Sequence, residues 1–142
     1  MRIAFSGTGN SGKTTLVKSF LYNWKDYSTP EKTYRDLIQE EGLSHSSATT
    51  TDTQEKILNF MIDQIQKSVQ ADKVVYDRCP LDNLAYSMWC HDKGIEGFTK
   101  DFITEQIKLM KESMRFIDII FLCRFDIKQK VVDDGFRDTD LS

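Results

Sequence analysis

Residues 7–14 of the chain are Gly7-Thr8-Gly9-Asn10-Ser11-Gly12-Lys13-Thr14. This stretch fits the pattern G-x-x-x-x-G-K-[ST] at every position. The pattern carries meaning only between a strand and a helix, and the flanking sequence provides both. Arg2 to Ser6 is a short apolar run, and apolar side chains recur at helical spacing from Leu16 to Leu21. The stretch therefore predicts a phosphate-binding loop between a buried strand and an amphipathic helix.

The loop chemistry indicates a nucleoside triphosphate as the ligand. Glycines allow positive φ angles, so that backbone N–H groups approach phosphate oxygens, and the following helix directs its positive end at the same anion. Lys13 is expected to reach the β- and γ-phosphates, and the Thr14 hydroxyl to ligate Mg²⁺. We predict that ATP or GTP binds with Mg²⁺ through Gly7, Thr8, Gly9, Asn10, Ser11, Gly12, Lys13, Thr14 and Thr15.

Apolar runs and helical stripes alternate along the rest of the chain. Buried strands are predicted at 73–77 and 118–123, and helices at 13–24, 31–41, 52–69, 82–90 and 103–114. The third helix is expected to begin at Asp52, which stands three residues before Glu55 in a capping-box arrangement. Strands that alternate with helices predict one domain over residues 1–142, with a three-layer α/β/α fold around a parallel sheet.

Asp77 is the acidic residue best placed for the phosphate site. Ligands of such sheets bind beyond the carboxyl ends of the strands, where Asp77 and Asp126 lie, whereas Asp118 opens its strand at the opposite edge. We expect Asp77 to hold Mg²⁺ together with Thr14. The alternative is that Asp77 and Arg78 form an ion pair at the surface.

Arg78 favours phosphoryl transfer over hydrolysis. Many ATP-driven machines place a glutamate after the strand-end aspartate to polarise water, whereas an arginine fork suits phosphate. A switching GTPase is disfavoured, because no aspartate has glycine three positions later and no Asn-Lys-x-Asp segment occurs.

The loop, the Asp77-Arg78 pair and the continuation Cys79-Pro80-Leu81-Asp82-Asn83 resemble the P-loop nucleoside and nucleotide kinases. That group includes thymidylate kinase, deoxynucleoside kinases and ribosylnicotinamide-kinase-like proteins labelled AAA ATPases. The resemblance implies transfer of the γ-phosphate of ATP, with Mg²⁺, to a nucleoside or nucleoside monophosphate. It implies that Asp77 assists Mg²⁺ or takes a proton from the acceptor, that Arg78 contacts phosphate, and that Glu31 touches the acceptor. The alternative for Glu31 is an exposed acid at the start of a helix.

The same resemblance implies a basic lid at residues 126–142. Arg137 would be its key catalytic cation, alongside Lys128 and Lys130, although a solvated segment of mixed charge is the alternative. The related kinases continue past the lid with a helix and a fifth strand that have no counterpart before Ser142. We therefore expect the natural product to exceed 16.5 kDa.

Composition narrows the remaining function classes. The formal net charge of −3 argues against a nucleic-acid partner, and no apolar run approaches the ~20 residues that span a bilayer. Three cysteines without CxxC spacing predict reduced thiols and a cytoplasmic location. Related kinases often form homodimers. Two alternatives stay open: an ATPase or nucleotide-dependent regulatory module without an acceptor, and a kinase that acts on a base or end of nucleic acid.

Overall fold

The structure, a computed structural model, describes residues 1–9, 11–43 and 49–124. Within these ranges the chain forms three strands and five helices. In chain order they are β1 (Arg2–Ser6), α1 (Lys13–Asn23), α2 (Tyr34–Glu41), α3 (Thr51–Lys67), β2 (Val74–Asp77), α4 (Pro80–Asp92), α5 (Lys100–Met114) and β3 (Ile119–Leu122).

The three strands form a parallel sheet in the order β2-β1-β3. Ile3 of β1 pairs with Val75 on one side and with Ile119 on the other. Parallel neighbours need long crossover connections, and helices α1 to α3 lie in the connection between β1 and β2. Ser28 adds an isolated parallel bridge to Val74. The predicted parallel sheet is confirmed.

Helices cover both faces of the sheet. Successive side chains of a strand point to opposite faces, and on both faces the strands carry apolar side chains that pack against helices. On one face, Phe5 and Val75 pack with Val17 of α1. On the other face, Ala4 and Tyr76 pack with Ile65 of α3. This arrangement confirms the predicted three-layer α/β/α fold.

The start of α3 corrects one sequence prediction. The N-cap is Thr50, whose hydroxyl accepts a hydrogen bond from the backbone N–H of Thr53. Asp52 lies within the first turn and pairs with Lys56 at 3.2 Å. Threonine and aspartate both cap helices well, so composition alone did not select between the two positions.

The carboxyl ends of the three strands meet at one edge of the sheet. The loop after Ser6, the turn after Asp77 and Cys123 after β3 therefore lie together, and the backbone N–H of Cys123 donates to Ser6 O at 2.7 Å. Asp118 lies at the opposite edge, as predicted, where its Oδ2 accepts the N–H of Arg2 at 2.7 Å.

Candidate active site

The phosphate loop begins and ends with glycines in unusual backbone conformations. Gly12 has φ 85°, and α1 begins at the next residue. Gly7 has φ 146°, and a Cβ atom added there would lie 2.3 Å from the carbonyl oxygen of Cys123. A side chain at position 7 would therefore meet backbone of the neighbouring strand end. The loop conformation requires glycine there for both reasons.

Lys13 lies inside the loop and not out in solvent. Only 5% of its surface is exposed. Its Nζ donates to the carbonyl oxygen of Thr8 and to Ser11 Oγ, the latter at 3.1 Å. The ammonium is thus held beside the loop backbone, at the amino end of α1, where a helix attracts anions.

Thr14 and Asp77 are brought into contact although they are 63 positions apart in the chain. Thr14 Oγ1 donates to Asp77 Oδ2 at 2.7 Å, which joins the first turn of α1 to the last residue of β2. A hydroxyl and a carboxylate are the hard oxygen donors that Mg²⁺ takes, usually with phosphate and water completing its shell. In the described part of the chain no three His, Cys, Asp or Glu side chains form a metal-binding group. The pair suits Mg²⁺ shared with a phosphate.

Arg78 adopts a backbone conformation that is uncommon for a side-chain-bearing residue, with φ 77°. Its N–H donates to Phe5 O at 2.9 Å, which holds the turn against β1. The guanidinium Nη1 lies 3.5 Å from Gly7 O, and its carbon lies 5.0 Å from the ring centre of Tyr34. The cation therefore stands between the phosphate loop and α2.

A cleft opens on the far side of Asp77 and Arg78 from the phosphate loop. Its volume is about 30 Å³. The lining residues are Thr29, Pro30, Lys32, Thr33, Tyr34, Phe60, Met61, Gln64, Ile65, Tyr76, Asp77, Arg78, Cys79 and Pro80. Glu31 is exposed and does not line the cleft, although both of its neighbours do.

Three residues to which the sequence patterns assigned no individual role contact the candidate site: Ser6, Tyr34 and Asp82. Asp82 Oδ1 accepts hydrogen bonds from Ser6 Oγ and from the N–H of Gly7, each at 2.9 Å. Asp82 also accepts the N–H of Cys79 at 2.9 Å, at the start of α4. An acidic residue two positions after a proline signals a helix start, but the contact to a loop 75 positions away has no local signal.

Cys79 does not have the properties of a nucleophile. Burial raises the pKa of its thiol to about 12, and the charge of Asp82 adds to the rise. Burial likewise raises the pKa of Cys123, which lies beside the loop. Both thiols stay protonated near neutral pH, so the chemistry of the site belongs to oxygen and nitrogen groups.

The remaining predicted positions are placed as follows. Thr8 and Thr15 are exposed, and Gly9 is half-buried. Asn10 and Arg137 lie outside the described residues, as does the whole predicted lid at 126–142.

A family model described as an AAA domain matches residues 2–142. The chain belongs to this family. No curated protein matches this AAA domain. Within the described residues no helix is long and apolar enough to cross a membrane.

Solved structures with the same fold include kinases. The AAA domain is similar to NadR protein in complex with NR, with TM-score 0.66 and 15% identity, over 85% of this chain and 32% of that one. It is similar to deoxyadenosine kinase from M. mycoides with dCMP and dCDP bound, with TM-score 0.64 and 17% identity, over 89% of this chain and 65% of that one. The same kinase with dATP bound gives TM-score 0.61 at 17% identity, over 89% and 66%.

These matches confirm the predicted resemblance to P-loop nucleoside kinases at the level of family and fold. The chain spans about a third of the NadR structure and just under two thirds of the deoxyadenosine kinase structures.

Proposed function

We propose that the chain is a phosphotransferase that moves the γ-phosphate of ATP, with Mg²⁺, to a nucleoside or nucleoside monophosphate. The observation that carries the proposal is the position of Asp77 and Arg78. Each contacts the phosphate-loop side through Thr14 or Gly7, and each lines the cleft on the other side. Two adjoining sites that share a carboxylate and an arginine suit transfer between two bound molecules.

The residues divide the work of transfer between them. Lys13 and the loop N–H groups bind the donor phosphates, and Thr14 and Asp77 would hold Mg²⁺, which neutralises phosphate charge when it is bound. Asp77 would take the proton of an acceptor hydroxyl as its oxygen bonds to phosphorus. The bond from phosphorus to the bridging oxygen breaks, and the electron pair leaves with ADP. Arg78 lies where it can balance the charge on the transferred group.

The acceptor would occupy the cleft between α2 and the turn at residues 78–80. A free space of about 30 Å³ holds at most a few water molecules, so a nucleoside needs a wider cleft. Tyr34 forms the α2 wall and stacks over Arg78. The proposal therefore requires α2 to move away from the turn when an acceptor binds.

The test is ADP release from ATP and Mg²⁺, with nucleosides and nucleoside monophosphates added singly. Lys13→Ala and Asp77→Asn should abolish any stimulation by an acceptor, because the first removes the phosphate cation and the second removes a carboxylate shared by both sites. Asp63→Asn is the control, since Asp63 is exposed and forms its ion pair with Lys67 on the same helix α3. Slow ADP release that no acceptor stimulates would favour the ATPase alternative.

A further inference from the structure

Asp82 joins two segments of the candidate site that are distant in sequence. Its Oδ1 accepts from Ser6 Oγ and from the N–H of Gly7, both at 2.9 Å. Its Oδ2 accepts from the N–H of Cys79 at 2.9 Å and lies 3.5 Å from the Cys79 thiol. One carboxylate therefore receives donors from the start of the phosphate loop and from the turn that follows Asp77 and Arg78.

This contact pattern uses both oxygens of the Asp82 side chain as acceptors. All the partners of Asp82 act as donors, and a carboxylate only accepts. An asparagine has nearly the same shape, but its NH₂ group would face either the N–H of Gly7 or the N–H of Cys79. Asp82→Asn therefore breaks one of the two connections whichever way the amide is turned.

The two connected segments carry the groups that act on the ligands. Gly7 opens the phosphate loop, and its carbonyl oxygen lies 3.5 Å from Arg78 Nη1. Cys79 directly follows Arg78, whose φ of 77° is held by the contacts around the turn. A shift between the segments would change where the loop N–H groups and the guanidinium point relative to a shared phosphate.

We propose that Asp82 is a positioning residue that fixes the phosphate loop against the Asp77–Arg78 turn, so that triphosphate affinity depends on its carboxylate. The inference rests on the proposed function where it concerns phosphoryl transfer. Its test measures only the affinity for MgATP, and this measurement needs no acceptor. A role confined to capping α4 is the competing explanation, because the bond to the Cys79 N–H alone would serve that purpose.

Asp118 provides a matched control for loss of a structural carboxylate. It accepts the N–H of Arg2 at 2.7 Å, at the other end of the same strand β1 and at the edge of the sheet away from the loop. Asp118→Asn thus removes a comparable carboxylate charge beside β1, while its amide oxygen can still accept from Arg2, and it does not touch the phosphate site.

The experiment is calorimetric titration of wild type, Asp82→Asn and Asp118→Asn with MgATP, at a temperature where melting curves show each variant to be folded. We expect Asp82→Asn to raise the Kd by about tenfold or more, as loss of a supporting hydrogen-bond partner does elsewhere, and Asp118→Asn to change it less than about twofold. A variant that is merely less stable, but still folded at the titration temperature, would keep the wild-type Kd, because nearly all of its molecules remain competent to bind.

A milder variant keeps the test decisive if Asp82→Asn does not fold. Ser6→Ala removes a single donor to Asp82, and it should raise the Kd for MgATP by severalfold. Where all variants fold, Ser6→Ala and Asp82→Asn should combine less than additively in log Kd, because they remove parts of one network. A wild-type Kd for MgATP in folded Asp82→Asn would overturn the proposal. If Asp82→Asn does not fold, a wild-type Kd in Ser6→Ala would overturn it. An increase of the Kd in Asp118→Asn as large as in Asp82→Asn would also overturn it.

Discussion

At the residue scale, the candidate site depends on two positions with unusual backbone conformations, Gly7 and Arg78. Gly7 has both a backbone conformation that side-chain-bearing residues rarely adopt and a carbonyl oxygen where its Cβ would be. Arg78 also has a positive φ, of 77°, which is uncommon for a residue with a side chain. Such strain persists only where the surroundings hold it, and here those surroundings are β1 and the loop.

We expect Gly7→Ala to lower the free energy of unfolding by about 1–3 kcal/mol more than Gly94→Ala, because overpacking against fixed backbone adds to backbone strain. Gly94 is the matched control, since its φ of 71° is also positive and, apart from its chain neighbours, no atom of the described residues lies within 4 Å of an added Cβ. Chemical denaturation of the two variants and wild type measures the difference. Equal losses would show that Cys123 O yields easily and that close packing does not select glycine at position 7.

At the residue scale, sequence patterns singled out residues where a local rule existed. Lys13 and Thr14 follow from the loop pattern, and the contact of Thr14 with Asp77 follows from the rule that strand ends face the ligand. Asp82 and Tyr34 had no such rule. Their partners, Gly7 and Arg78, lie far away in sequence and meet them only after the strands are arranged.

At the element scale, buried polar groups join α3 to α4. Gln54 Nε2 donates to Thr49 Oγ1 at 2.9 Å, and Gln54 Oε1 accepts from Ser87 Oγ at 3.3 Å. The backbone oxygen of Gln54 also accepts from Asn83 Nδ2 at 3.1 Å. All four residues are buried, so each hydrogen bond replaces contact with water.

We expect Gln54→Ala to lower the free energy of unfolding by about 2–4 kcal/mol, because it leaves the Thr49 and Ser87 hydroxyls buried without this partner and also opens a cavity. Gln66→Ala is the control, since Gln66 is exposed on the same helix. Urea unfolding followed by circular dichroism gives both values. A loss no larger than that of Gln66→Ala would mean that water or a rearranged neighbour replaces the amide.

The first residues of two helices show what the sequence patterns did not predict. Periodicity gave the existence and the type of the described helices and strands, but α3 begins at Thr51 instead of Asp52, and α4 begins at Pro80, two residues before its predicted start. Thr50 and Cys79 occupy the N-cap positions. Several polar residues near each start can cap, and tertiary contacts such as those of Asp82 decide which one does.

At the scale of the whole molecule, the fold brings the two candidate sites to one edge of one sheet. Strands in parallel end at the same edge, so β1 presents the phosphate loop and β2 presents Asp77 and Arg78 beside it. The sequence predicted this arrangement, because alternation of strands and helices leaves few other topologies. It did not predict the narrow cleft, which depends on how closely α2 packs against the turn at residues 78–80.

The most direct test of the central proposal is the fate of the γ-phosphate. The chain, in the longest natural form that can be produced, is incubated with Mg²⁺ and ATP labelled at the γ-phosphate, together with the acceptor that most stimulates ADP release. The labelled products are then separated. The variant Asp77→Asn is incubated and analysed in the same way. We predict that the label appears in the acceptor, and that Asp77→Asn prevents this transfer. Label found only in inorganic phosphate, with every nucleoside and nucleoside monophosphate tested, would contradict the proposal that this chain is a kinase of small acceptors.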